Sequence, residues 1–168
     1  MVELIKQALL GEYEASLCMV KLCVQCCKPE FWEGKIASDT FRQVSYHTLF
    51  FADLYLSTTE ATFELRDLHQ RGGDERGKTA SPGLSVDETV AYAAICRQKA
   101  IDILAAETSE SLQGWSGFSW RKCSRAELHI YNIRHIQHHV GAMSAYLRRV
   151  DDSLKDPKAV PWVGHGWR

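Results

Sequence analysis

The chain has 168 residues, 45% hydrophobic and 24% charged, the proportions of an ordinary globular protein. That length fits one domain with a substantial buried core. A net charge of −1 with neutral histidines leaves no electrostatic footprint for nucleic acid and no attraction to an anionic membrane.

No run of apolar residues is long enough to span a bilayer. Glu3, Glu12 and Glu14 interrupt any signal-peptide core near the start, so the expected location is the cytoplasm. The first segment, Val2 to about Cys27, carries Ile5, Leu9, Tyr13, Leu17, Val20 and Val24 at helical spacing and reads as helix one. Pro29 and Gly34 bracket a break. Ser38-Asp39 suits an N-cap, and helix two is expected to run from there through Phe63. Its apolar surface, with Phe41, Val44, Phe51 and Tyr55 widened by Leu49, Phe50 and Leu54, is broad enough for more than one neighbour.

Residues 67–84 are rich in glycine and charge and read as a long loop, a crossover between distant helix ends or a lid. Ser85-Val-Asp-Glu88 is a capping box that starts helix three, which extends to about Glu107. Gly114 and Gly117 fall in an aromatic connection. A second capping box, Ser124-Arg-Ala-Glu127, starts helix four, which extends to about Val150. The tail, residues 155–168, has no period, and Trp162 and Trp167 predict that it docks on the helices. The expected architecture is all-α: one domain over 1–168, a four-helix bundle with a possible long crossover between helices two and three. Six cysteines lie scattered in apolar stretches and read as small hydrophobes; Cys23-Val-Gln-Cys26 lacks the setting of a redox or zinc motif.

Chemistry concentrates in helix four, which holds His129, His135, His138 and His139. His135 and His139, four residues apart, stand one turn apart on one face, about 5–6 Å between Cβ atoms. Two such imidazoles can converge on one ion at roughly 2.0–2.1 Å. Their face also carries Leu128, Asn132, Ala142, Met143 and Tyr146, the side expected to point inward. A lone pair at this spacing is often coincidence. Burying imidazoles without partners is costly, however, and His47 sits in a similarly apolar setting in helix two. Together they make a three-nitrogen set of the kind facing helices of a bundle build. The zincin motif is excluded, because Ile136 occupies the position where its catalytic glutamate follows the first histidine. Asn132 could orient a ligand or merely satisfy a core contact. His138, about 100° round the helix from His139, is expected to support the site from outside or to face solvent. His69 and His165 are expected to be solvated, with His165 able to reach the site if the tail folds over it. Tyr46 reads as packing.

The segments SYHTLFFADLYLS (45–57) and YNIRHIQHHVGAMSAYLRR (131–149) resemble the two signature segments of the DinB-like (DinB/YfiT) superfamily. His47 matches the histidine of its second helix, and His135 and His139 match the H-x-x-x-H pair of its last. The resemblance implies a four-helix bundle with its long crossover after helix two, a bound zinc, nickel or iron ion, and commonly a dimer. It also implies relatives that are thiol-dependent transferases and hydrolases.

Three protein ligands leave an open coordination position, the pattern of catalytic zinc. The leading expectation is a metal-dependent hydrolase or thiol transferase acting on a small molecule, with a low-molecular-weight thiol among the candidates. A non-catalytic bundle whose metal braces or senses is the alternative, and a plain helical interaction module is a third. The broad apolar faces of helices one and two make a homodimer the expected assembly.

Overall fold

The structure is a computed structural model and describes residues 1–70, 83–156, 160 and 162–167. Among these the chain is mostly helical. Four long helices carry the fold: α1 (Val2–Cys26), α2 (Phe41–Leu56), α3 (Val86–Ala106) and α5 (Arg125–Val150). Between the last two, within the stretch expected to be a connection, lies a short helix, α4 (Ser109–Gln113); Thr108 and Ser111 close a capping box at its start. A two-stranded antiparallel hairpin, β1 (Lys35–Ile36) and β2 (Asp39–Thr40), joins α1 to α2.

Contacts between the helices give their directions. Lys6 Nζ donates to the Ala105 carbonyl at 2.9 Å, and Arg97 pairs with Glu14 at 2.6 Å, so α1 and α3 are antiparallel. Tyr13 meets His129, and Met19 meets Gln137, so α1 and α5 are parallel. Cys96 lies against the Leu49 carbonyl and Lys99 against Asp53, so α2 and α3 also run the same way. A chain leaving the end of α2 must therefore return to the opposite end before α3 begins. Residues 71–82, most of the 67–84 loop of the sequence reading, lie outside the described residues.

The two capping boxes read from sequence, at Ser85/Glu88 and Ser124/Glu127, form with both reciprocal bonds. Helix two differs. Asp39 belongs to β2, and the N-cap is Thr40, whose hydroxyl accepts from the Gln43 amide while Gln43 Oε1 accepts from the Thr40 N–H. The T-x-x-Q box completes both bonds, which Ser38-Asp39 does not. The helix also stops earlier, at Leu56, because Thr59 starts a separate 3₁₀ turn over Glu60–Thr62. Gly34 lies where Tyr146 of α5 reaches across to donate to the Phe31 carbonyl at 3.0 Å; a Cβ there would stand 1.8 Å from the tyrosine oxygen.

The core joins all four long helices, with Tyr13, Leu17, Phe41, Leu49, Tyr92, Leu104, Leu128 and Met143 essentially fully buried. Cys18, Cys23, Cys27 and Cys96 are buried in it, and burial pushes the Cys23 and Cys27 thiols up to about 12, which keeps them unreactive. The tail meets the helices through buried Val160 and Val163 and through Trp167, whose ring lies 4.7 Å from Lys21 Nζ and 5.5 Å from Arg97. Trp162, expected to dock, is 72% exposed. No helix among the described residues is long and apolar enough to cross a membrane.

Candidate metal centre

Helices α2 and α5 pack antiparallel, and their contacts form a ladder. Phe41 stacks near Tyr146, Ser45 donates to Met143 Sδ at 3.3 Å, Asn132 donates to the Ala52 carbonyl at 3.1 Å, and Tyr55 meets Tyr131. His47 belongs to the same ladder, midway along α2, and therefore faces the middle of α5. The histidine positions there are 135 and 139. The His47 ring centroid is 5.4 Å from that of His135 and 5.0 Å from that of His139, while the latter two are 4.6 Å apart.

One ligand-capable nitrogen from each ring lies within 4.8 Å of the others, so this three-histidine group could hold a metal ion. The Nε2 atoms of His135 and His139 are 3.1 Å apart. Two nitrogens bound tetrahedrally at 2.0–2.1 Å from one ion stand about 3.3 Å apart, so the pair already has nearly the required spacing. Three neutral nitrogens, with no carboxylate in the set, suit a borderline transition metal rather than magnesium or calcium. Packing restrains the rings: Phe51 lies 4.7 Å from His47, and Tyr131 stacks on His135 at 6.3 Å with a 23° interplanar angle. Tyr131 also carries the Arg121 guanidinium, 3.4 Å from the ring centroid.

His139 is buried, whereas His47 and His135 are half-buried and open into a cleft. The cleft, about 330 Å³, is lined by the three histidines, His138, Phe51, Tyr55 and Tyr131. His138 is exposed, with its ring 5.1 Å from that of His139, so it stands at the rim. Asn132 is buried and ties α5 to the Ala52 carbonyl of α2, the core contact that the sequence left open beside a ligand-orienting role.

The other histidines are placed elsewhere. His165 lies beside Gly11 of α1. His69, expected to be solvated, is 6% exposed: its Nδ1 accepts from the Arg66 amide at 2.9 Å, and its Nε2 is 2.8 Å from the Tyr92 hydroxyl. Tyr92 also donates to the buried carboxylate of Asp53, which takes Lys99 at 2.5 Å and Arg66 at 3.2 Å. A 3₁₀ turn over Asp67–Gln70 closes His69 into this network, a feature with no sequence signal. Asp53 was detectable as a lone acid inside the apolar run FFADLYL, since a buried charge demands a partner.

A second network closes one end of the helices. Arg125 donates to the carbonyls of Tyr55, Leu56 and Ser57 at 3.1, 3.1 and 2.7 Å, satisfying the otherwise unpaired end of α2. Its Nε pairs with Glu107 at 2.9 Å. His129, fully buried, places Nε2 3.2 Å from Glu107 and Nδ1 3.1 Å from the Tyr13 hydroxyl. The arrangement assigns a neutral imidazole that donates to the carboxylate and accepts from the phenol. Burial holds the His129 pKa below its ordinary value despite Glu107. Burial alone would raise Glu107, but hydrogen bonds from His129, Ser111 and Arg125, with the guanidinium charge, bring it down to about 2. Nothing in the sequence distinguished Arg125 and Glu107 from ordinary surface charges near helix ends.

Compared with protein-family models, curated proteins and solved structures, the chain matches none.

Proposed function

We propose that this protein is a metal-dependent enzyme of the hydrolase or thiol S-transferase type, acting on a small molecule. In this reading the chain is a four-helix bundle with a long crossover after α2, of the DinB/YfiT kind. The up-down-down-up order of its helices supports that, as do the two histidine-bearing segments. His47, His135 and His139 hold one divalent ion: zinc, nickel or iron. The observation that carries the reading is the meeting of three imidazole nitrogens from two helices, within 4.8 Å of one another, at the floor of a cleft. An ion bound there supplies Lewis acidity to a substrate donor atom that reaches it.

The chain's own contribution is positional. Phe51 and Tyr131 hold the His47 and His135 rings in place, and the aromatic wall of Phe51, Tyr55 and Tyr131 limits water around the reacting group. The cleft above the nitrogens favours catalysis over an ion that merely braces the helices, which would call for a closed set of protein ligands. A homodimer belongs to the same reading, supported by Leu4 and Ile5 at the start of α1, 70% and 42% exposed. Light scattering of the purified chain tests it.

Elemental analysis of protein purified without added metal tests the centre. About one equivalent of a transition metal is expected in the wild type, and almost none in His47→Ala. A full complement that survives the substitution removes His47 from the site and ends the three-histidine reading.

A further inference from the structure

We infer that the cleft above the three histidines selects a small anion, with an acidic group held by Arg134 while a second donor atom of the same molecule faces the histidines. The inference rests on the metal reading above and adds the ligand's chemistry. A second hollow of about 250 Å³ continues the first: it shares Tyr131, His135 and His138 with it and adds Arg134 as its new wall. The two form one elongated cleft, with the imidazole nitrogens at one end and a guanidinium at the other.

Its charge is one-sided. Among the described residues no carboxylate lines either hollow, and the ionisable groups of the outer one are Arg134, Tyr131 and two histidines. Arg134 sits one residue before His135 on α5, so its guanidinium is exposed beside the cleft while its backbone is fixed in the middle of a 26-residue helix. Among the described residues no carboxylate pairs with Arg134, in contrast to Arg42, Arg66, Arg97 and Arg125, each of which has an acidic partner. An exposed guanidinium is a planar fork suited to a carboxylate. Tyr131 lines both hollows and packs on Tyr55 of the inner one, ring centroids 5.5 Å apart, which gives the ligand an apolar bed. A neutral or cationic molecule gains nothing from Arg134, and a cation is repelled. A molecule with two acidic ends separated by a short apolar spacer uses the whole cleft.

Cobalt(II)-loaded protein provides the probe, because the visible absorption of the bound ion changes when a carboxylate reaches it. Titration with succinate, glutarate and adipate is compared with titration by the monocarboxylates butyrate, valerate and hexanoate. At least one dicarboxylate is expected to bind about five- to tenfold more tightly than its monocarboxylate counterpart, the worth of a charge-assisted bond at a partly exposed site. Arg134→Gln should bring that ratio below about twofold. Lys155→Gln, which removes one positive charge beyond the far end of α5, should leave it unchanged. A dicarboxylate preference that is absent, or that survives Arg134→Gln, overturns this inference while leaving the metal centre standing. Loss of the preference in both variants assigns it to overall charge and also overturns the inference. Failure of cobalt to bind wild-type protein at the histidines overturns the metal reading itself.

Discussion

Asp53 is fully buried, and its carboxylate gathers three donors: Lys99 Nζ at 2.5 Å on one oxygen, with Arg66 Nε at 3.2 Å and the Tyr92 hydroxyl at 3.1 Å on the other. Asp53→Asn preserves the shape and removes the charge. Lys99 keeps two acceptors, the Asp53 carbonyl and the Ser57 hydroxyl, both at 2.8 Å, so its ammonium is not stranded. Breaking a fully buried pair costs about 3–5 kcal/mol. Here Lys99 and Arg66 are 20% and 41% exposed, and water offsets part of the loss. A cost of about 2–4 kcal/mol follows. Urea unfolding followed by circular dichroism, in excess chelator, should show the midpoint falling by about 1–2 M at unchanged slope. Because Asp53 faces α3 and the histidines lie between α2 and α5, metal content of the folded variant should match the wild type. A midpoint shift below about 0.3 M would show that the network is balanced by its desolvation cost and stabilises little.

Other outcomes follow from the same geometry. Glu107 sits near 2 in the fold against 4.5 when free, so its contribution is complete above about pH 4.5 and is lost as pH falls toward 2. His129, held neutral by burial, costs stability as pH drops below its ordinary value of 6.5. Chelator-treated wild type should therefore lose urea resistance from about pH 6.5 downward, and in Glu107→Gln the loss between about pH 4.5 and 2 should shrink; an unchanged profile in the variant refutes the assignment. Gly117 has φ +88°, and a Cβ there would lie 2.2 Å from the Thr58 carbonyl, so Gly117→Ala should lower Tm by roughly 4 °C or more. Zinc at about a thousandfold excess over its Kd should stabilise the wild type by about 4 kcal/mol, which is a Tm rise of roughly 8–16 °C. His135→Ala should lose most of that rise, and an equal rise in both proteins places the zinc elsewhere.

How much of this was legible in the sequence depended on whether the signal was local. The helical periods and the Ser85 and Ser124 capping boxes are written in consecutive residues, and they are where the reading put them. So is the spacing of His135 and His139. His47 was a distant inference, and the antiparallel ladder between α2 and α5 brings it to the pair. The start of α2 was misplaced because two polar residues before Thr40 looked like a cap, although the reciprocal partner, Gln43, belongs to Thr40. The buried networks were the least legible part. Arg125 reaches carbonyls about seventy positions earlier, and His69 owes its burial to Tyr92 and Asp53 on other helices. No window of sequence contains both partners of such contacts. The tail tryptophans were a coarser signal: Trp167 meets Lys21 and Arg97, Val160 and Val163 are buried, and Trp162 keeps most of its surface exposed.

The guanidinium of Arg125 holds the backbone of Tyr55, and the ring of Tyr55 is one side of the cleft. Through Glu107 and His129 the same group is tied to α3, α5 and Tyr13 of α1. A network of residues outside the cleft lining thus anchors one of the rings at its wall. A screen for variants with altered ligand preference should yield substitutions at positions 107, 125 and 129 beside those in the cleft. Such variants would keep their metal while losing discrimination among ligands, and a binding survey confined to residues near the ion would overlook them.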